Sequence, residues 1–392
     1  MKVSLAKGLY WVGAIDWNLR NFHGYITPRG TTYNAYLIVD EKIALVDTVK
    51  APFFKEMLEK VEEIVKPEEI DYVISNHVEI DHSGALPMTM KLTKNAELIA
   101  TEKGKSGLMK YHKTNWRFTT TKEKSEIDLG KRKLKFIETP MLHWPDSMVT
   151  YVERDNILLS SDAFGQHLAT SQRFDDQVDL AIVMQEAAKY YANIVMPFGA
   201  IVQNVLGKLQ SLKISMIAPA HGLIWRTNPM RIVDAYGRWA IGESKNKALI
   251  IYDTMWGSTE MIAKALLDAI SSENVEVVWF NLSKTDDSEV ITQVLDAKVL
   301  LVGSPTLNNG MFPTVSRFLT YLKGLRPKGK IGACFGSYGW GGGALKAMEE
   351  ELRRIGIDVV ESNLDFRYVP DEEELRKAKE FGKMMAKRIK QS

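Results

Sequence analysis

The sequence predicts two unlike domains in succession, an α+β sandwich over residues 1–243 and an α/β doubly wound parallel sheet over 244–392. Three observations predict this. Up to about residue 245, short β runs separated by turns such as Asp155-Asn156 mix with amphipathic helical stretches, the pattern of hairpins interrupted by helices. Beyond the polar stretch Gly242-Glu243-Ser244-Lys245-Asn246-Lys247 the rhythm changes to strict alternation of strand and helix, as a parallel sheet requires. The 392 residues also exceed what one hydrophobic core usually serves, and no internal repeat relates the two halves.

In the first half the apolar runs predict strands over residues 35–39, 43–47, 72–75, 97–100, 134–138, 147–153 and 157–161, with a helix over 53–65. In the second half strands are expected over 248–252, 275–281, 299–303, 331–335 and 358–361. Helices over 261–270, 287–295, 315–322 and 344–355 alternate with them, and a C-terminal helix starts at about residue 372.

Hydrophobic residues make up 45% and charged residues 26% of the chain, so a large buried core is possible. The net charge of +2 comes from 51 basic and 49 acidic residues in short mixed clusters, which offers nucleic acid no sustained basic face. Neither a signal-peptide core after Met1 nor a membrane-length apolar run is present, so a cytoplasmic protein with no membrane partner is expected. The single cysteine, Cys334, lies in an apolar strand and excludes an intrachain disulfide, a cysteine zinc site and a built-in rubredoxin module. Any metal must be held by His, Asp and Glu.

Candidates for that role are concentrated after the strand at 72–75, in Asn76-His77-Val78-Glu79-Ile80-Asp81-His82-Ser83-Gly84. If this segment stays extended, alternate spacing aims His77, Glu79 and Asp81 to one side. One carboxylate there would be an ordinary exposed loop acid, but a cluster of this density is not. His143, Asp162 and His221 each follow an apolar run, and strand ends converge in a sandwich.

At these residues the sequence resembles the flavodiiron family, the two-domain A-type version of the metallo-β-lactamase-like αββα fold. The resemblance extends over essentially the whole chain. Hydrolases of that fold carry a second His where this chain has Glu79, and a carboxylate there suits iron or manganese better than zinc. The resemblance implies that His77, Glu79 and His143 bind one iron, that Asp81 and His221 bind the other, and that Asp162 bridges both. Metals sharing a carboxylate lie roughly 3.5–4 Å apart. His82 is expected to turn away from the metals and to orient ligands by hydrogen bonding. His23 and His167 are placed near the pocket, His112 on the surface, and Trp144 and Phe198 as apolar walls.

In the second half, the strand at 248–252 runs into Asp253-Thr254-Met255-Trp256-Gly257-Ser258-Thr259-Glu260 and a helix, which gathers amides and hydroxyls where a phosphate is favoured. The later loops Gly303–Gly310 and Gly336–Gly343 lie at the same strand ends, the crevice where such folds hold ligands. This half resembles flavodoxin. The resemblance implies FMN, with its phosphate on Thr254, Gly257, Ser258 and Thr259 beside Met255 and Trp256. Its ring would lie between Ser304, Pro305, Thr306, Leu307, Asn308, Asn309 and the later loop of Ser337, Tyr338, Gly339, Trp340, Gly341 and Gly342. A dinucleotide-type Gly-x-Gly-x-x-Gly turn is absent after the first strand, which argues against NAD.

The expected function is therefore a flavodiiron oxidoreductase, in which FMN passes electrons to two iron ions that reduce dioxygen to water or nitric oxide to nitrous oxide. Rubredoxin or reduced coenzyme F420 would be the donor. The resemblance further implies a head-to-tail homodimer or a dimer of dimers. A zinc hydrolase with an appended flavodoxin module is the alternative, opposed by Glu79, and a pure electron carrier is opposed by the complete ligand set.

Overall fold

The structure, a computed structural model, describes residues 2–391, which form two compact units. One comprises the chain up to Tyr191 together with Ala200–Gly237, and the other Ala192–Gly199 with the chain from Arg238 onward.

In the first unit, strands Val3–Ala6, Leu9–Trp11, Tyr36–Val39, Ile43–Val46, Tyr72–Ile74, Glu97–Ala100 and Phe118–Thr120 lie in chain order in one sheet. Pairing is antiparallel at the start and parallel from Ile43–Val46 onward. A second sheet runs Glu126–Asp128, Lys133–Glu138, Met148–Val152, Ile157–Ser161, Met216–Pro219, with only its last pair parallel.

Side-chain alternation explains the layers. Tyr36, Ile38, Ala44, Val46, Tyr72 and Ile74 join Phe136, Met148, Val152, Ile157 and Leu159 in one core between the sheets. The residues between them, Leu37, Leu45 and Val73, face the other way onto Met57, Val61, Leu86 and Leu108 of helices Phe54–Glu62, Leu86–Leu92 and Glu102–His112. The outer face of the second sheet is covered as well, since Val149, Tyr151, Leu158 and Ile217 are all buried. This is the αββα sandwich.

In the second unit, strands Glu276–Asn281, Lys247–Tyr252, Val299–Leu307 and Ile331–Tyr338 are followed by the pieces Asp358–Val359 and Leu364–Arg367, all parallel. Ala248, Ile250, Val299, Leu301 and Ala333 pack on Ile262 and Leu266 of helix Ser258–Ser271 and on Ala378 and Met385 of helix Glu372–Gln391. Counted along the chain these strands lie in the order 2-1-3-4-5 across the sheet, the order of a doubly wound flavodoxin-like fold. Among the described residues no helix is long and apolar enough to cross a membrane.

Two local expectations need correction. The strand foreseen over 358–361 is only Asp358–Val359, and pairing resumes at Leu364–Arg367. Between them Asn363 takes φ +56°, and the Ser362 hydroxyl donates to Cys334 O and accepts from Leu364 N, a side-chain turn that interrupts the ladder. The segment after residue 75 also does not stay extended. Ile80–Ser83 is one helical turn, so Asp81 is placed by helix geometry rather than by strand alternation.

Candidate metal centre and flavin cleft

The candidate metal ligands leave the two sheets at strand ends. Asp47, at the end of Ile43–Val46, accepts from Asn76 N at 2.7 Å and from Asn76 Nδ2 at 2.8 Å, which turns the chain away from Tyr72–Ile74. Asn76 in turn joins the sheets, its Oδ1 accepting from Thr150 Oγ1 at 2.8 Å and its O from Met148 N at 3.0 Å. The parallel pairing of Ile157–Ser161 with Met216–Pro219 sets Asp162 and His221 side by side, with Ala220 N donating to Ser161 O at 2.7 Å. His143 comes from the turn between Lys133–Glu138 and Met148–Val152.

These elements bring together all six residues expected to bind metal, and they do so in two groups. In the first, His77 Nε2 lies 3.1 Å from Glu79 Oε2 and 3.6 Å from Asp162 Oδ2. His143 Nε2 lies 3.5 Å from that same Glu79 oxygen and 3.3 Å from Asp162 Oδ2. In the second, His221 Nε2 is 3.1 Å from Asp81 Oδ2 and 3.4 Å from Asp162 Oδ1. His82 Nε2 is 3.2 Å from Asp162 Oδ1 and 3.5 Å from Asp81 Oδ1. Asp162 thus shows one oxygen to each group.

The expectation that His82 turns away is overturned by this geometry. The helical turn Ile80–Ser83 carries the His82 ring into the second group, beside Asp81 and His221. His112, expected on the surface, is half-buried, and its Nε2 lies 3.1 Å from Ser83 Oγ.

Acids and imidazoles of the cluster stabilise one another's charge. Burial alone would raise the carboxyls, but the facing imidazoles outweigh it. His143, His23 and His77 hold Glu79 far below the usual carboxylate range, and His82, His143 and His221 do the same for Asp162. Burial likewise disfavours the imidazolium forms, yet Asp146 and Glu79 push His77 up to about 10. Asp81 and Asp162 push His82 and His221 up to about 10 as well. Such a pocket of matched acids and imidazoles exchanges protons for a cation readily.

The donor atoms fit a metal pair. Both carboxylate oxygens of Asp81, Asp162 Oδ2, His82 Nε2 and His221 Nε2 are buried without a hydrogen-bond partner, although they crowd one another. Native interiors rarely leave so many polar atoms unsatisfied in one place. Two imidazoles with two carboxylates in the first group, sharing Asp162 with the second, form a nitrogen and oxygen set suited to iron or manganese.

Around this centre, His77 Nδ1 is 2.9 Å from Asp146 Oδ2, which also accepts from Val78 N at 2.8 Å. His221 Nδ1 donates to Thr32 O at 2.7 Å. These contacts present Nε2 of each ring to the centre. His23 Nε2 contacts Glu79 Oε1, and its half-exposed ring stacks on Phe22 at 4.3 Å. His167 is buried with Nδ1 2.7 Å from Thr31 Oγ1 and its ring 4.9 Å from that of His221. Trp144 stands edge-on to His77 at 5.1 Å. Phe198 belongs to the other unit. Sequence reasoning missed Asp146, Asp47, Asn76 and Tyr190, the last buried with its ring 5.1 Å from His167. An Asp in the tight turn just after His143 was the one available signal for Asp146.

In the second unit a cleft of about 680 Å³ opens at the strand ends. Its lining includes Met255, Trp256 and Ser258, the loop Pro305, Thr306, Leu307, Asn308 and Asn309, and the loop Ser337, Tyr338, Gly339, Trp340 and Gly341. Gly257, at φ +90°, caps helix Ser258–Ser271, and its N–H donates to Thr254 Oγ1 at 3.0 Å. Thr259 is buried and bonded to Ser337 Oγ at 2.9 Å, and Ser304 Oγ donates to Pro305 O; Thr259 and Ser304, with Thr254, Gly257 and Gly342, stand outside the cleft lining although they were expected to contact FMN. Gly342 lies behind the loop against Asp365. Tyr368 and Val369 complete the lining and were not foreseen. Trp256 and Trp340 are 94% and 93% exposed at the rim.

Comparison with known proteins agrees with both halves. Residues 31–222 match the family model described as ODP family beta lactamase, and residues 250–382 match the flavodoxin model. The chain is 51% identical to the nitric oxide reductase of Moorella thermoacetica over 99% of its own length and 98% of the relative's. It is 41% identical to the coenzyme F420H2 oxidase of Methanothermobacter thermautotrophicus, covering 97% of both chains. The structure superposes on rubredoxin oxygen:oxidoreductase of Desulfovibrio gigas with a TM-score of 0.96 at 37% identity, covering 100% and 99% of the two chains. A two-unit protein with an αββα metal pocket and a flavodoxin-like cleft defines a class, and this chain belongs to the flavodiiron protein family. It is an oxidoreductase of that family.

Proposed function

We propose that this protein holds two iron ions and one FMN and uses electrons from an external donor to reduce dioxygen to water or nitric oxide to nitrous oxide. The observation that carries the reading is the placement of Asp162, with Oδ2 toward His77, Glu79 and His143 and Oδ1 toward His82 and His221. When bound, FMN supplies electrons and the iron pair supplies a reducing centre that can accept a diatomic gas.

The chain's own residues do the rest. His77, Glu79 and His143 would hold one iron, Asp81, His82 and His221 would hold the other, and Asp162 would offer one oxygen to each. Asp146 and Thr32 fix the rings of His77 and His221, so the Nε2 atoms need no reorganisation. Trp144 and Phe22 exclude water from the flanks, while His23 covers the second oxygen of Glu79 at the mouth. In the other unit the amides and hydroxyls at Thr254–Ser258 would hold the FMN phosphate, and the loops Pro305–Asn309 and Ser337–Gly341 would hold the ring.

The two tasks divide near Glu243, a boundary supported by one family match ending at residue 222 and the other beginning at 250. Rubredoxin or reduced coenzyme F420 is the donor, as the names of two similar proteins suggest. The working form is a cytoplasmic homodimer in which the FMN of one subunit serves the iron pair of the other, a reading supported by the family resemblance. The test is anaerobic purification followed by iron, zinc and FMN analysis of one sample. Two irons and one FMN per chain are expected, and zinc with little iron after metal-controlled expression would overturn the reading.

A further inference from the structure

Asp365 is an acid of the second unit that the flavin reading does not use. It lies on strand Leu364–Arg367 directly opposite Gly336 of Ile331–Tyr338, at the point where that strand passes into the cleft wall. A Cβ added to Gly336 would stand 2.9 Å from Asp365 Oδ1, and one added to Gly342 would stand 3.3 Å from Oδ2. The carboxylate therefore fills the room left by two glycines, one beneath it and one in the returning loop. That loop presents Tyr338, Gly339, Trp340 and Gly341 to the cleft, and the chain leaving Asp365's own strand presents Tyr368 and Val369.

A structural tie would account for a polar residue here, but Oδ1 is buried with no hydrogen-bond partner. Burial pushes the carboxyl up to about 6, so it is ionised at pH 7.5, with the side chain half-buried and its charge partly screened by water. A charge in that position acts through space on whatever occupies the cleft. We propose that Asp365 is a charge set behind the flavin wall to oppose negative charge on the bound FMN, and so to lower its reduction potential.

The inference rests on the reading of this cleft as the FMN site. Reduction of the ring by two electrons with uptake of one proton leaves one additional negative charge on it. In the titration the electrons come from the added reductant and the proton from water. A neighbouring carboxylate raises the energy of that product, so the flavin gives electrons up more readily.

The experiment is an anaerobic spectroelectrochemical titration at pH 7.5 of the holoenzyme and its Asp365→Asn, Asp365→Ser and Asp365→Glu variants, each first assayed for FMN content. The neutral variants are expected to shift the flavin midpoint potential upward with the flavin still bound, and Asp365→Glu is expected to stay near the parent value. An unchanged potential in a flavin-loaded neutral variant would overturn the inference, as would an equal shift in Asp365→Glu. Wild-type protein that binds no FMN would instead overturn the flavin reading, and the inference with it.

Discussion

At the scale of single residues, the proposed metal chemistry turns on two carboxylates, Asp162 and Glu79. Asp162 is buried, and its oxygens face two separate histidine groups, so no other residue in the pocket can replace its double role. Asp162→Ala is expected to abolish gas reduction and reduce bound iron while FMN content stays at one per chain; undiminished turnover would sink the paired-iron mechanism. In the proposed site Glu79 is the oxygen donor that would separate this pocket from a histidine-rich hydrolytic one. In Glu79→His, expressed with equal iron and zinc in the medium, metal analysis should show the zinc-to-iron ratio rising several-fold; an unchanged ratio would show that Glu79 does not select the metal.

At the scale of elements, packing decides how firmly the flavin loops are carried. Gly303 lies on the central strand Val299–Leu307, and a Cβ there would come within 2.3 Å of the buried Phe335 ring on the neighbouring strand. That ring cannot swing outward, because Phe335 is only 1% exposed. Gly303→Ala should therefore cost about 1–3 kcal/mol through overpacking, read as a lower thermal midpoint for the flavin-bearing unit. Adding Phe335→Leu should recover part of that loss, and a double-mutant cycle with no coupling would show that the ring is not the obstacle.

At the scale of the whole molecule, two units carry separate cofactor sites, and the proposal joins them across a homodimer. Dilution far enough to dissociate the dimer should slow reoxidation of the reduced flavin by oxygen, with iron and FMN content unchanged. Stopped-flow absorbance at several concentrations, paired with sedimentation, makes the check. Reoxidation equally fast in the dissociated chain would show that one subunit suffices.

The sequence by itself determined the class of both halves, because their cues are local. Strand-to-helix alternation, a hydroxyl-rich turn ahead of a helix and four metal-capable side chains between His77 and His82 can all be read without knowing what packs on what. Glu79, set against the second His of the hydrolases that share the resembled fold, already argued for iron or manganese over zinc. Only the tertiary structure decided the orientation of His82, because spacing cannot reveal that Ile80–Ser83 coils into a helical turn instead of remaining extended. It also decided the parts played by Asp146, Asp47 and Asn76, each defined by a partner at least 29 residues away, and the interruption of the last strand at Asn363. A motif records which side chains are close along the chain. Which of their atoms face a common point depends on strand ends from two sheets meeting, and that is fixed only when the core between the sheets closes.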